Sequence, residues 1–300
     1  MDDDAIVLDN LTKTYGRRRG LDGLDLRVRT GEVLGYLGPN GAGKSTTIRL
    51  LLDLIRPTTG SARVLGVDPR IDAVALHRRV GYLPGDFTVD GRQTVRGCLR
   101  FLAGLRGGLP AARIDVLAER LDLDQSARIK SLSKGNRQKV GLVQAFMHEP
   151  ELLILDEPTS GLDPLVQQTF LDMVTEAANR GATVFMSSHV LAEVQAVADR
   201  VAIIRDGRLV ALDTVTALRS QAVRTVELTF AEPVTAAEFA TVPGVDDLTV
   251  TGTVLTCRLT GAPDALLRAA TRHTVTGLTA TEPALDDLFH TYYAGADHGV

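Results

Sequence analysis

The sequence predicts an α/β protein in two parts, a larger domain with a mostly parallel central sheet and a small α+β domain after it. Through about residue 215, short apolar runs alternate with helical patterns, an order typical of strands joined by crossover helices. Residues 33–38, 151–157 and 182–187 are nearly all apolar, as strands covered on both faces are. After about residue 220, apolar and polar residues instead alternate with a period of two. We therefore place the domains at residues 1–220 and 221–300.

Two stretches interrupt the alternation in the larger domain. Residues 94–122 carry apolar side chains at spacings of three and four, which predicts helix. Residues 205–213 place an Asp-Gly pair between two apolar runs, which predicts a β-hairpin. The phosphate-loop region described below is followed by a further helical pattern over residues 46–54.

The small domain is predicted from two strands and two helices. Residues 224–230 and 253–259 alternate apolar and polar side chains, as half-buried strands do. Residues 262–272 and 283–293 carry helix-spaced apolar residues behind capping-type starts. Such a domain either stabilises the protein or regulates it, and the sequence leaves both roles open.

Composition and charge exclude several classes of protein. The net charge of −4 is not that of a nucleic-acid-binding protein, so we expect no nucleic-acid partner. The two cysteines, Cys98 and Cys257, lack metal-ligand spacing and indicate free thiols in a reducing compartment. The acidic N-terminus does not resemble a signal peptide. No run of about 18 apolar residues occurs, so any membrane part must come from another chain.

A phosphate-binding loop is the strongest motif. Residues 38–46, GPNGAGKST, match the pattern G-x-x-x-x-G-K-[ST] between a predicted strand and a predicted helix. The glycines let successive N–H groups point into one nest, and the following helix directs its positive end to the same place. We expect Lys44 to reach the β- and γ-phosphates of a nucleotide and the Ser45 hydroxyl to bind Mg²⁺. The alternative, a glycine-rich turn that binds nothing, is disfavoured by the strand–loop–helix context. The nucleotide-binding positions predicted here are Gly38, Asn40, Gly41, Ala42, Gly43, Lys44, Ser45 and Thr46.

Two carboxylates follow the apolar run of residues 152–155. Side chains at the carboxyl end of a parallel strand emerge where ligands bind in open α/β sheets. Asp156 is suited to hold Mg²⁺, through water, and Glu157 is suited to orient and activate an attacking water. Acids at strand ends are often only solvated, but the apolar run before the pair and Pro158 after it favour a functional role.

Taken together, the motifs resemble the nucleotide-binding subunit of an ATP-binding cassette (ABC) transporter. The resemblance covers residues 5 to about 215 and implies an ABC-type P-loop ATPase domain with a mostly parallel sheet, an antiparallel β part and a helical subdomain over about residues 86–147. Within the ABC family, the chain is similar to the exporter branch that includes drug- and antibiotic-resistance pumps. The segments that carry it are Tyr15 in LTKTYG, GPNGAGKST, LSKGNRQK (132–139), LLILDEP (152–158), SGLD (160–163) and His189 in MSSHVLAE.

The resemblance implies a site divided between two copies of the subunit. The segment LSKGNRQK corresponds to the family's signature loop, which covers ATP held by the phosphate loop of a second subunit, so we expect a homodimer around two ATP molecules. Tyr15 would stack on adenine, His189 would touch the γ-phosphate, and Glu157, His189 and Lys44 would serve catalysis. Positions expected to contact nucleotide or to cross the dimer seam are Ser133, Gly135, Asn136 and Asp163.

Three residues depart from the family pattern, and two further features lie outside it. Lys134 stands where glycine is common and Asn136 where glutamine is common. Gly85 replaces a glutamine that contacts Mg²⁺ and water, so we hypothesise that this loop is a flexible hinge and that Glu157 carries hydrolysis alone. The run of residues 16–20, GRRRG, favours a solvated loop over a basic patch, and the five histidines other than His189 are expected at the surface.

The implied function is to power a separate multi-span permease that docks near residues 81–106. The subunit would lie at the cytoplasmic face of the cell membrane, peripheral through that permease, and would drive export of a drug, antibiotic or lipid-like compound. One alternative is a soluble ABC ATPase acting on ribosomes or DNA, although such proteins usually carry two cassettes or a coiled-coil insertion. The other is a small-molecule phosphotransferase, which would have no use for residues 132–139 or 160–163.

Overall fold

The computed structural model describes residues 4–220 and 224–281. The chain divides into two compact units, residues 1–212 and 213–300. The strands of the chain are β1 (Asp4–Tyr15), β2 (Arg18–Arg29), β3 (Val33–Leu37), β4 (Thr59–Val64), β5 (Val80–Leu83), β6 (Leu152–Asp156), β7 (Thr183–Ser188), β8 (Arg200–Arg205), β9 (Arg208–Thr214), β10 (Arg224–Phe230), β11 (Val245–Thr251), β12 (Val254–Leu259) and β13 (Val275–Thr281). The α-helices are α1 (Lys44–Leu51), α2 (Ala73–Arg79), α3 (Val95–Leu105), α4 (Ala111–Arg120), α5 (Lys134–Phe146), α6 (Pro164–Asn179), α7 (Leu191–Gln195), α8 (Val215–Ser220) and α9 (Asp264–Ala270).

A six-stranded sheet forms the centre of the first unit. Its order is β5-β6-β7-β3-β8-β9, and the pairs from β5 through β8 are parallel. Strands β3, β6 and β7 are buried at every position because helices or other strands cover both faces. The predicted mostly parallel sheet is therefore confirmed, and the carboxyl ends of β3, β6 and β7 lie side by side.

The antiparallel part of this unit is a three-stranded sheet in the order β2-β1-β4. Strands β1 and β2 are 12 residues each and are joined by a tight turn in which Gly16 has a φ of 60°. We did not predict where these strands lie. One apolar core joins this sheet to the central one, because Leu8 and Leu24 belong to the same buried cluster as Tyr36 and Phe185.

The stretch predicted as helical over residues 94–122 is two helices, α3 and α4. They are separated where Gly107 and Gly108 both adopt a φ of 90°, a conformation that ends a helix. Thr94 caps α3 by accepting a hydrogen bond from the Gly97 N–H. Helix α5 packs against β5, α3 and α4, so the helical segment is anchored to the edge of the central sheet.

The predicted hairpin over residues 205–213 is also confirmed. Strands β8 and β9 are connected by Asp206 and Gly207, with φ values of 49° and 78°. Positive φ at both central residues is the requirement of the tightest hairpin turn, and an Asp-Gly pair meets it at low cost. The Gly207 N–H donates to the Ala42 carbonyl, so the hairpin also supports the loop after β3.

The second unit contains a four-stranded antiparallel sheet in the order β11-β12-β10-β13. The strands predicted over residues 224–230 and 253–259 are present as β10 and β12, and the helix predicted over 262–272 is present as α9. Phe230 and Phe239 pack in its core with their ring centroids 5.8 Å apart. The helix predicted over residues 283–293 lies outside the described residues.

Of the histidines other than His189 that are expected at the surface, His290 and His298 lie outside the described residues, and the structure describes His77, His148 and His273. Each is only partly exposed. His77 and His148 contact backbone carbonyls, and His273 lies 2.8 Å from Glu238. Burial, together with the nearby positive charge of Arg106, lowers the pKa of His148 from 6.5 to about 4. Over residues 4–220 and 224–281, no helix is long and apolar enough to cross a membrane.

Candidate active site

The loop between β3 and α1 is shaped by glycines that admit no side chain. Gly41 and Gly43 have φ values of 83° and 115°, which disfavour any other residue. A Cβ at Gly38 would lie 2.5 Å from the Ile204 carbonyl oxygen, and one at Gly43 would lie 2.7 Å from the Gly20 carbonyl oxygen. The loop therefore folds tightly and delivers the chain to the first turn of α1, whose free N–H groups point toward the loop.

Lys44 extends back across this loop. Its side chain is buried, and its Nζ donates to the carbonyl oxygens of Gly38 at 2.5 Å and Pro39 at 3.4 Å. The same Nζ lies 3.2 Å from Glu157 Oε1. An ammonium held in this way presents its charge at a fixed point, as binding of the terminal phosphates of a nucleotide requires.

Ser45 and Asp156 meet at the carboxyl ends of β3 and β6. Ser45 Oγ donates to Asp156 Oδ2 at 2.8 Å, and the carboxylate is almost fully buried. A hydroxyl and a carboxylate side by side are the hard oxygen donors that Mg²⁺ prefers when phosphates and waters complete its shell. The donor set of these two residues therefore fits Mg²⁺.

Glu157 lies between two groups that come from different parts of the chain. Its Oε1 contacts Lys44, and its Oε2 lies 2.6 Å from His189 Nδ1. The Glu157 backbone adopts a φ of 49°, which is unusual for a residue with a long side chain. The fold thus brings together the carboxylate, the ammonium and the imidazole that the sequence analysis assigned to catalysis.

A pocket of about 360 Å³ opens over this loop. Tyr15 lines it and is 44% exposed, and Lys13 Nζ lies over its ring, 5.2 Å from the centroid. The exposed part of the ring is an apolar surface of the kind on which a planar base stacks. Gly38 and Ala42, by contrast, are buried behind the loop, and neither lines the pocket. The other predicted nucleotide-binding positions along its wall are Asn40, Gly41, Gly43, Lys44, Ser45 and Thr46.

Arg18 and Arg19 also line the pocket, which the sequence analysis missed. Both are exposed, but they belong to β2 rather than to a loop. Strand pairing sets Arg18 opposite Tyr15, and its guanidinium lies 3.7 Å from the position that a Cβ on Gly41 would take. Glycine at position 16 favours a tight turn. Had that turn been predicted, strand pairing across it would have placed Arg18 opposite Tyr15.

The signature segment forms the start of α5 and does not line this pocket. Ser133 caps the helix by accepting a hydrogen bond from the Asn136 N–H at 3.2 Å, and Lys134 Nζ donates to Ser160 Oγ at 2.9 Å. Asp163 caps α6 by accepting from the Val166 N–H. Within one chain, therefore, the fold does not bring Ser133, Asn136 or Asp163 to the pocket that Lys44 and Tyr15 line.

Contacts behind the signature segment connect it to the end of β6. Gln138 is buried, and its Nε2 donates to the carbonyl oxygens of Glu157 and Pro158 at 3.3 and 3.1 Å. A Cβ on Gly135 would lie 2.4 Å from the Gly161 carbonyl oxygen, so the two segments are in direct backbone contact. Neither contact could be predicted from the sequence, because the segment LSKGNRQK gives no indication of which distant backbone Gln138 meets.

Gly85, at the position where the family resemblance implies glutamine, lies beside the Asp156 carboxylate. A Cβ at this position would be 3.5 Å from the Asp156 carbonyl oxygen and 3.6 Å from Asp156 Oδ2, which are ordinary contact distances. The exposed Asp86 follows it. A side chain at position 85 would therefore reach the site, and this chain has none there.

Fold and site together define an ATPase domain with a phosphate loop. The family model described as "ABC transporter" matches residues 21–160. The chain is 40% identical over 229 residues to the daunorubicin resistance ATP-binding protein DrrA3 of Streptomyces coeruleorubidus, covering 74% of this chain and 72% of that one. It is 38% identical over 210 residues to the bacitracin transport ATP-binding protein BcrA of Bacillus licheniformis, covering 68% of each.

Solved structures show the same likeness. A structure described as the ATP-binding subunit of an ABC transporter superposes with a TM-score of 0.67 at 31% identity, covering 72% of this chain and 92% of that one. The chain therefore belongs to the family of ABC transporter ATP-binding proteins. It is an ATP-binding subunit and an ATPase.

Proposed function

We propose that this chain powers export through a separate multi-span permease, working as a homodimer that encloses two ATP molecules. The observation that supports this most directly is the division of the site. The pocket over the phosphate loop is lined by Tyr15, Lys44 and Glu157, whereas Ser133 and Gly135 lie at the start of α5 and are not part of it. A second copy is the simplest source of the missing half.

In each half site, the phosphate loop and Lys44 hold the phosphates, while Tyr15 stacks on adenine. Asn40 and Thr46 line the same wall. Ser45 and, through water, Asp156 would hold Mg²⁺, which when bound neutralises phosphate charge. The short contact between Ser45 Oγ and Asp156 Oδ2 supports this assignment, because it already places two oxygen donors together.

Hydrolysis is assigned to Glu157 and His189. The Glu157 carboxylate would accept a hydrogen bond from the attacking water and orient it toward the γ-phosphate. His189, 2.6 Å from Glu157 Oε2, restrains that carboxylate and would contact the γ-phosphate. Lys44 and His189 hold the carboxylate from opposite sides, one on each oxygen, which supports a fixed geometry for the water.

The second copy would complete the site with Ser133, the Gly135 backbone, Asn136 and Asp163. Helix α5 is 13 residues long, and its N-terminus would face the γ-phosphate from the side opposite the phosphate loop. Closure of two such surfaces excludes water from the phosphates. The C-terminal domain, residues 221–300, is assigned an accessory role.

An apolar surface near residues 81–106 supports the permease interface. On α3, Phe101 and Leu105 are 57% and 68% exposed, and on α2, Val74 is 69% exposed. The Arg106 guanidinium donates to the carbonyl oxygens of His77 and Val80, so the ends of α2 and α3 lie together. Exposed apolar side chains on neighbouring helices are typical of a protein contact. Docking of a permease here would hold the subunit at the cytoplasmic face of the membrane.

The class of cargo comes from the relatives. The two described above are named for daunorubicin resistance and bacitracin transport. By analogy with these named relatives, we propose that the permease partner exports a drug, antibiotic or lipid-like compound.

Co-purification tests the transport function. The tagged chain, expressed in its native host, should retain a multi-span membrane protein through detergent extraction, and Leu105→Glu should release that protein without loss of ATP binding. Recovery of ribosomes or DNA in place of a membrane protein would contradict the proposal. Ser133→Ala in the purified chain tests the shared site, because full ATPase activity in a demonstrably monomeric sample would exclude a two-copy mechanism.

A further inference from the structure

Ser187 is a buried hydroxyl at the edge of the site, within the segment MSSHVLAE, to which no role has been assigned. It is the penultimate residue of β7, is fully buried, and pairs in register with Asp156 of the neighbouring strand β6. Ser187 Oγ donates to Asp156 Oδ1 at 2.6 Å and accepts from the Glu157 N–H at 3.1 Å. One hydroxyl therefore contacts both acidic residues.

The first of these bonds selects the orientation of Asp156. A carboxylate has two oxygens, and Ser187 takes Oδ1 while Ser45 takes Oδ2. Because both hydroxyls act as donors, the plane of the carboxylate is fixed and Oδ2 faces the phosphate loop. Groups that hold a metal-binding carboxylate from behind in this way tune both its orientation and its basicity.

The second bond holds the backbone of Glu157 in an unfavourable conformation. A φ of 49° costs free energy in a residue with a side chain and persists only where neighbours restrain it. The Glu157 N–H donates to both the hydroxyl and the carbonyl oxygen of Ser187, and its carbonyl accepts from Gln138. This turn directs the Glu157 side chain toward Lys44 and His189.

We propose that Ser187 is a positioning residue for ATP hydrolysis, setting the Asp156 oxygen that faces the metal and the direction of the Glu157 side chain. The inference rests on the proposed roles of those two carboxylates. It predicts that loss of the hydroxyl affects turnover and the metal-dependent part of ATP binding, and leaves contacts of the phosphate loop with the nucleotide intact.

The test compares Ser187→Ala with Thr183→Val in the purified full-length chain. Thr183 lies on the same strand, is equally buried, and accepts a hydrogen bond from the Gly31 N–H at 2.9 Å, away from the carboxylates. Both changes remove one buried hydroxyl, so both should lower the resistance to denaturant. Only Ser187→Ala should lower kcat, by about tenfold, and raise KM for Mg²⁺-ATP, because it weakens the metal-dependent part of binding.

Equilibrium binding of a fluorescent ATP analogue supplies a readout that does not depend on turnover. Without Mg²⁺, Ser187→Ala should bind the analogue as wild type does. With Mg²⁺, the gain in affinity should be smaller by about tenfold. If Ser187→Ala does not fold, Ser187→Cys, whose thiol is only a weak donor, is measured in the same way and should show an effect of the same sign.

Unchanged kcat in Ser187→Ala, or an equal loss in Thr183→Val, would overturn the inference, as would a raised KM with normal kcat. These outcomes differ from failure of the proposed function. In that case the wild-type chain itself would show no Mg²⁺-dependent ATP hydrolysis, and neither variant would be informative about Ser187 alone.

Discussion

Gly135→Ala is the change for which the structure gives the sharpest expectation. A Cβ on Gly135 would lie 2.4 Å from the Gly161 carbonyl oxygen. The obstructing atom belongs to the backbone, and Gly161 itself has a φ of 80°, so no side-chain rotation relieves the contact. The start of α5 and the segment that leads to Asp163 must move apart.

The size of that movement follows from the contact distance. Ordinary contacts of a Cβ begin at 3.4 Å, so the two segments must separate by roughly 1 Å. We expect overpacking of this kind to lower the free energy of unfolding by about 1–3 kcal/mol. A displacement of about 1 Å in a group that positions the γ-phosphate costs about 10² in rate, so we expect kcat to fall by about two orders of magnitude.

The assay separates binding from turnover. ATP affinity of the single chain should stay within about twofold of wild type, because Gly135 does not line the phosphate-loop pocket. Gly104→Ala is the matched control. It lies within α3 with nothing inside 4 Å of the added carbon, and it should raise stability by about 0.5–1 kcal/mol while leaving ATPase activity unchanged.

A kcat for Gly135→Ala within about threefold of wild type, in a sample that unfolds cooperatively, would refute this reasoning. It would mean that the start of α5 does not contact the reacting phosphate. Equal losses of ATP affinity and kcat would also count against it, since they would indicate damage to the pocket in the same chain rather than to the surface presented to a partner.

Glu157→Gln should retain ATP binding, lose at least about 10²-fold in hydrolysis and accumulate as an ATP-bound dimer by size-exclusion chromatography; a monomer at saturating ATP would contradict the shared site. Gly85→Gln should leave steady-state ATPase activity unchanged because Glu157 carries hydrolysis, and a severalfold rise would favour a site that has lost a contributing side chain. Arg18→Gln should weaken ATP binding by about threefold at low salt, whereas Arg17→Gln, which does not line the pocket, should not; equal effects would show that only net charge matters. The pKa of His148, lowered by burial to about 4, makes the unfolded chain bind the proton first, so the free energy of unfolding should decrease as pH falls from 6.5 to about 4. Urea titrations of His148→Gln should show a shallower decrease over that range, and an identical slope would contradict the assignment.

Much of the larger unit could be predicted because its signals are local. The apolar runs of β3, β6 and β7 predict strands covered on both faces, and the Asp-Gly pair predicts a tight hairpin turn. In the phosphate loop, the glycines indicate where the backbone adopts a positive φ, which other residues disfavour. The N-terminal strands β1 and β2 were not located, since their partial alternation becomes decisive only once each has the other as a partner.

Sequence alone therefore picked out the segments that we assign to the site: the phosphate loop, the acids at the end of β6, the histidine after β7 and the capped start of α5. Only the tertiary structure decided which atoms meet. The contacts of Ser187 with Asp156, of Gln138 with the Glu157 carbonyl and of Arg18 with the pocket all depend on strand order and register. Local preferences act over a few residues, whereas those contacts join positions far apart in the chain. For Ser187 and Arg18, which lie on strands, a shift of one residue in register would turn the side chain to the opposite face.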